Sequence, residues 1–114
     1  MFVEWLLAWL LETTVFGFEW DAGNRTKSRT KHDVSVEEVE SVFRVKRAIP
    51  LGIQVSPPVP EQRCGVIGPT AQGRVLQIAF VFRHGCVRVI SARPAHRKER
   101  AQYDTVARQI FEEL

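Results

Sequence analysis

Eight residues from Val75 to Phe82 are almost wholly apolar, Arg83, His84 and Gly85 follow, and Cys86 to Ser91 then alternates, with Val87 and Val89 out of phase with Arg88. A short apolar run bounded by a turn is a buried strand, and strict alternation is a strand with one wet face. Joined by so short a glycine-containing turn, the two form a hairpin. That hairpin needs neighbours to cover it. A strand over Gln62 to Ile67, ending at Gly68 and Pro69, reaches it through Ala71, Gln72 and Gly73. Another over Ala48 to Val55 stops at Ser56, Pro57, Pro58, Val59 and Pro60, a cluster that cannot continue a central ladder and reads as a surface loop. The result is an antiparallel meander of three to four strands.

Helical signals flank it. Ser35 followed by Glu38 is a capping box, and Val34 with Val39 forms a hydrophobic staple, so a helix begins near Ser35 and buries Val36, Val39, Val42 and Phe43. From about Ala95 to Leu114, Tyr103, Val106, Ala107, Ile110, Phe111 and Leu114 fall on one stripe of an amphipathic helix expected to lie across the sheet. Residues Phe2 to Glu12 read as a third helix, apolar on most of its circumference. Thr14 to Trp20 is rich in β-branched and aromatic residues and reads as an N-terminal edge strand, interrupted at Gly17, with Asp21 as a cap for the next element. Asn24 to His32 carries Arg25, Lys27, Arg29 and Lys31 without an aliphatic side chain, and periodicity does not decide between helix and loop. Its charge and that of Glu37, Glu38 and Glu40 are placed to neutralise each other. Helices first, a meander next and a helix last make an α+β domain.

At 114 residues the chain can sustain one core without staples. Cys64 and Cys86 belong to no CxxC or Cys/His array and read as separate thiols. The apolar start has Glu4 where a secretory leader is basic, and its run from Trp5 to Leu11 is too short to span a bilayer, so the cytoplasm and no membrane are expected. Its excess apolar surface suggests that residues 1–12 contact a second surface, a homodimer partner or another protein. The net charge of +3 is too small to announce a nucleic-acid binder by itself.

Distribution is more telling than the sum. Arg83, Arg88, Arg93, Arg97, Lys98 and Arg100, with His84 and His96, occupy eighteen residues whose only acid is Glu99. Arginines converging at a strand-to-helix junction suit phosphates; the same composition also suits a merely solvated junction. His32, His84 and His96 lack HxxxH or HExxH spacing, so no metal site and no cofactor are expected, and no P-loop, GxGxxG or GxSxG is present. RNA cleavage through the neighbouring 2′-hydroxyl remains compatible, since the substrate supplies its own nucleophile and the protein needs only a base, an acid and cations. Histidine is the side chain suited to proton transfer near neutrality, which makes His32 and His96 the acid–base candidates, with Glu61 the alternative base beside Arg63. Trp20 or Tyr103 is a candidate to stack on a base, although either also suits a core.

Phe18-Glu19-Trp20-Asp21, Asn24, Lys27, Lys31-His32, Val34-Ser35, Glu37-Glu38 and Val42-Phe43 form one block, and Glu61-Gln62-Arg63, Ile67-Gly68, Gly73-Arg74, Arg88 to Arg93, Arg97 to Arg100 and Tyr103 a second. Together they resemble the BrnT toxins over residues 18 to about 104. The resemblance implies a RelE-like fold, a metal-independent endoribonuclease that halts translation, and a BrnA-like antitoxin through which alone operator DNA is reached. On it, 1–17 is an apolar extension and 18–114 the toxin domain. The polar positions that match the family's motif are Trp20, His32, Glu61, Arg63, Arg74, Arg88, Ser91, Arg93, Arg97 and Arg100. Taken with the chemical candidates above, His32, Glu61, Arg93, His96 and Arg97 are expected in catalysis, and Trp20, Arg63, Arg74, Arg88, Lys98 and Arg100 in RNA binding. Asp33 stands where the family usually has glycine, which places a left-handed turn on it. The same fold without cleavage, as a nucleic-acid-binding or protein-interaction module, is the alternative.

Overall fold

The computed structural model describes residues 4–54 and 63–112. The chain runs α1 (Glu4–Glu12), α2 (Lys27–His32), α3 (Val36–Val45), β1 (Ile49–Gln54), β2 (Arg63–Pro69), β3 (Val75–Arg83), β4 (Cys86–Pro94) and α4 (Arg97–Ala107), with a final π-helical turn over Arg108–Glu112. The strands form one antiparallel sheet in the order β1-β2-β3-β4, the expected meander in an α+β fold. His84 and Gly85 both have positive φ, the conformation a two-residue hairpin turn demands. The proline cluster and the start of the strand expected from Gln62 lie outside the described residues.

One face of the sheet carries the main core. Leu76, Ile78 and Phe80 of β3, Val66 of β2 and Val87, Val89 and Ala92 of β4 meet Val39, Val42 and Phe43 of α3 and Leu6 and Leu10 of α1, all buried. The capping box at Ser35 is present: its Oγ accepts from the Glu38 N–H at 3.1 Å while Glu38 Oε1 accepts from the Ser35 N–H at 3.2 Å. Val34 and Val39, the staple pair, are each 1% exposed. Helix α1 enters through Leu6, Leu10 and the Trp9 ring, which lies 4.9 Å from Phe82 and 5.1 Å from Phe16. Lys46, the left-handed cap of α3, donates its Nζ to the carbonyls of Leu10 and Thr13, tying the two helix ends together. Trp5 and Leu11 stay on the outside, 47% and 38% exposed.

On the opposite face Tyr103 and Ala107 of α4, with Val106, Ile110 and Phe111, pack on Ile49, Ile67 and Val75. Tyr103 Oη donates to the Arg47 carbonyl at 2.5 Å and fixes the helix against the start of β1. Gly68 is required by close approach: a Cβ there would lie 2.7 Å from Ala48 Cα.

The N-terminal strand expected over Thr14 to Trp20 shrinks to a single parallel bridge between Phe18 and Val87. The physical reason is what covers the free edge of β4. Glu19 N–H donates to the Val87 carbonyl and Val87 N–H to the Gly17 carbonyl; beyond them Asn24 Nδ2 donates to the Val89 carbonyl and Ser28 Oγ accepts from the Ala92 N–H. Side chains replace the second half of a strand, so the edge groups are satisfied without a ladder. Asp21 caps the turn that makes this exchange, its Oδ1 accepting from Gly23 and Asn24 N–H, rather than a helix. The undecided basic segment, Asn24 to His32, is a turn through Thr26 and then helix α2, closed by Asp33 at φ 53° and ψ 45°. Arg74 clamps that left-handed residue, donating to the carbonyls of Asp33 and His32 and to the Glu38 carboxylate.

Candidate nucleic-acid interface

The meander brings the end of β4 beside the start of β3, with Leu76 opposite Pro94 and Gln77 opposite Arg93. The chain then turns through Ala95, whose N–H donates to the Val75 carbonyl, and His96 caps α4. Four of the residues singled out in the sequence, His96, Arg97, Lys98 and Arg100, therefore sit in one turn at the end of β4, all exposed. No salt bridge engages Arg97, Lys98 or Arg100 among the described residues.

Arg93 is different. Its Nη1 and Nη2 each donate to one oxygen of Glu99 at 2.9 Å, Nη2 also donates to Gln77 Oε1 at 2.7 Å, and Nη1 to the Pro94 carbonyl. Glu99 Oε1 further accepts from the His96 N–H at 2.7 Å. The Arg93 guanidinium and the His96 N–H hold the Glu99 carboxyl well below the usual carboxylate range, at about 2. A carboxylate so firmly ionised is a poor proton acceptor near neutral pH. It positions Arg93 and the start of α4. Because its folded value lies below its unfolded one, the stabilisation is complete above the ordinary carboxylate range and disappears as the pH falls. Thermal melts between about pH 5 and pH 2 should show the wild type losing stability more steeply than Glu99→Gln; parallel curves would contradict this pairing.

The remaining expected residues are not gathered with these. Arg88, farther along β4 from Arg93, pairs with Asp21 at 2.8 Å and Glu19 at 3.1 Å, which hold it against the chain that covers the edge. Hydrogen bonds from His84 to Glu19 and from Arg88 to Asp21 lead the causes that lower both carboxyl values. Trp20 Nε1 donates to Glu40 at 2.8 Å and its ring packs on the core. Arg74 is bound to Glu38 and the α2 terminus on the other face, where exposed His32 also lies. Arg63 is exposed at the start of β2, and Ser91 is half-buried in β4. Glu61 lies outside the described residues. The basic helix α2 is not neutralised by α3: Arg29 pairs with Asp33, while Glu38 and Glu40 turn to Arg74 and Arg44.

Gln77 and Glu99 escape a reading that looks for cations and histidines. Both leave a signal: Gln77 is the one polar residue in the Val75–Phe82 run, and Glu99 stands three residues after His96, the spacing of a capping box. Both thiols are free, and burial raises the Cys64 value. No helix among the described residues is long and apolar enough to cross a membrane, and no group of three or more His, Cys, Asp or Glu there is placed to hold a metal ion.

Comparison with curated proteins gives no match. A family model described as the ribonuclease toxin BrnT of type II toxin-antitoxin systems matches residues 20–99, from Trp20 at the covered edge through Glu99 in the first turn of α4. On that match, which spans most of the chain, the protein belongs to the BrnT family of ribonuclease toxins.

Proposed function

We propose that the chain is an endoribonuclease that needs no metal, cleaves RNA at the junction of β4 and α4, and so blocks translation. One observation carries the reading: Arg97, Lys98 and Arg100 crowd the first turn of a helix without an ion-pair partner among the described residues. The helix dipole already makes that end positive, so cations there oppose it, each at a cost of a few tenths to about 1 kcal/mol. An arrangement that works against local stability makes sense where a polyanion is held.

In this reading Arg97 and Arg100, three apart on one face, bind the scissile phosphate and stabilise the charge that builds on it. His96 stands beside them as acid or base; His32, on the far side of the sheet edge, and Glu61 are the further candidates for its counterpart. The base takes the proton from the 2′-hydroxyl, O2′ attacks phosphorus, the bond from phosphorus to O5′ breaks, and the acid protonates O5′. A 2′,3′-cyclic phosphate and a 5′-hydroxyl result. A BrnA-like antitoxin in the cytoplasm is the partner that silences the site and links it to operator DNA. The test is incubation of the purified protein with RNA in excess EDTA, with analysis of the ends. Cleavage to cyclic phosphates is expected; activity that vanishes in EDTA and returns with a divalent ion contradicts the reading.

A further inference from the structure

We propose that the cavity between α4 and the sheet is a nucleobase pocket that sets which nucleotide is held beside the cations. The inference rests on the RNA-cleaving reading and deepens it. The cavity measures about 520 Å³, room enough for a base and part of its sugar. Ile49, Leu51, Ile67 and Val106 supply apolar walls, and Gln77 and Gln102 supply amides. A base has the same division, with apolar faces and a polar edge.

The amide of Gln77 is oriented in advance. Its Oε1 accepts from Arg93, which Glu99 grips with both oxygens, so Nε2 is left as the donor. A fixed donor favours a base edge that presents a carbonyl. The charges argue for a base and against a phosphate inside the cavity. Among the described residues Glu99 is the only charged side chain lining it, and its oxygens already accept from Arg93 and the His96 N–H. Phosphates are better served by Arg97 and Arg100 outside. Glu99, Gln102 and Val106 follow at helical spacing along the α4 face that lines the cavity, so pocket and cations belong to the same rigid element.

The test uses short 2′-O-methyl oligonucleotides, which have no free 2′-hydroxyl to cleave, carrying each of the four bases or an abasic unit at one position at a time. For the wild type, one position should discriminate: its preferred base should bind about tenfold more tightly than the abasic unit, the discrimination of one good base-edge contact. Gln77→Met keeps the length and removes the amide, and should bring the four bases within about twofold of one another. Gln102→Ala, at an exposed position outside the Arg93, Glu99 and Gln77 hydrogen bonds, should weaken the preference while circular dichroism stays unchanged. Equal binding of base and abasic oligonucleotides by the wild type at every position overturns the pocket, as does an unchanged preference in folded Gln77→Met. The ribonuclease reading fails separately: base-selective binding without cleavage of ordinary RNA overturns that reading and keeps the pocket, and cleavage without base preference does the reverse.

Discussion

Replacing Arg97 with alanine should lower RNA cleavage by about a hundredfold or more and leave the melting temperature within about 2 °C of the wild type. Arg97 is exposed and in no ion pair among the described residues, and it begins α4 where its charge opposes the helix dipole, so its removal takes away little that stabilises the fold. What it removes is a cation at the phosphate, and electrostatic groups of that kind are among the largest single contributors to catalysis. Arg93→Ala is the informative contrast. It strips Glu99 and Gln77 of their shared donor and leaves a half-buried carboxylate unpaired, which costs about 1–3 kcal/mol. That variant should lose activity and several degrees of stability together. A folded Arg97→Ala protein that cleaves at the wild-type rate contradicts the placement of the site.

Deletion of residues 1–12 should abolish cooperative folding. Their composition suggests that they reach outward, and Trp5 and Leu11 do; Leu6 and Leu10 instead point inward, at 0% and 2% exposure, with Trp9 among four phenylalanine rings. Losing two buried leucines and a tryptophan costs on the order of 8 kcal/mol, comparable with the whole stability of an ordinary domain at about 5–15 kcal/mol. Leu10→Ala is the graded version. It should cost about 3 kcal/mol and lower the melting temperature by roughly 10 °C without unfolding the protein at room temperature. A truncated chain that still melts cooperatively within a few degrees of the wild type would show that α1 is not part of the core.

The parts of the fold legible in the sequence are those set by local chemistry. The meander follows from strand-length apolar runs and a turn that accepts positive φ at His84 and Gly85, and α3 follows from a capping box whose two hydrogen bonds are both present. Thr14 to Trp20 does not form the expected strand because composition reports β propensity and not which groups satisfy the edge; Asn24 and Ser28, polar residues in a stretch with no periodicity, satisfy it by long-range bonds to β4. The cations show the same limit. In the sequence Arg88, Arg93 and Arg97 look equivalent, but whether an arginine is available depends on distant acids: Glu19 and Asp21 take Arg88, Glu99 takes Arg93, and none of the described acids takes Arg97. Proximity in the chain locates the junction, and tertiary pairing selects its available members.

The claim that RNA is held at the β4–α4 junction is tested most directly by mapping backbone amide shifts on titration with a 2′-O-methyl oligonucleotide. The account predicts that the largest shifts fall on His96, Arg97, Lys98 and Arg100, with smaller ones at Arg93 and Gln77, and that α1 and α3 stay unmoved. Shifts concentrated on the basic helix α2, with the start of α4 silent, would contradict it.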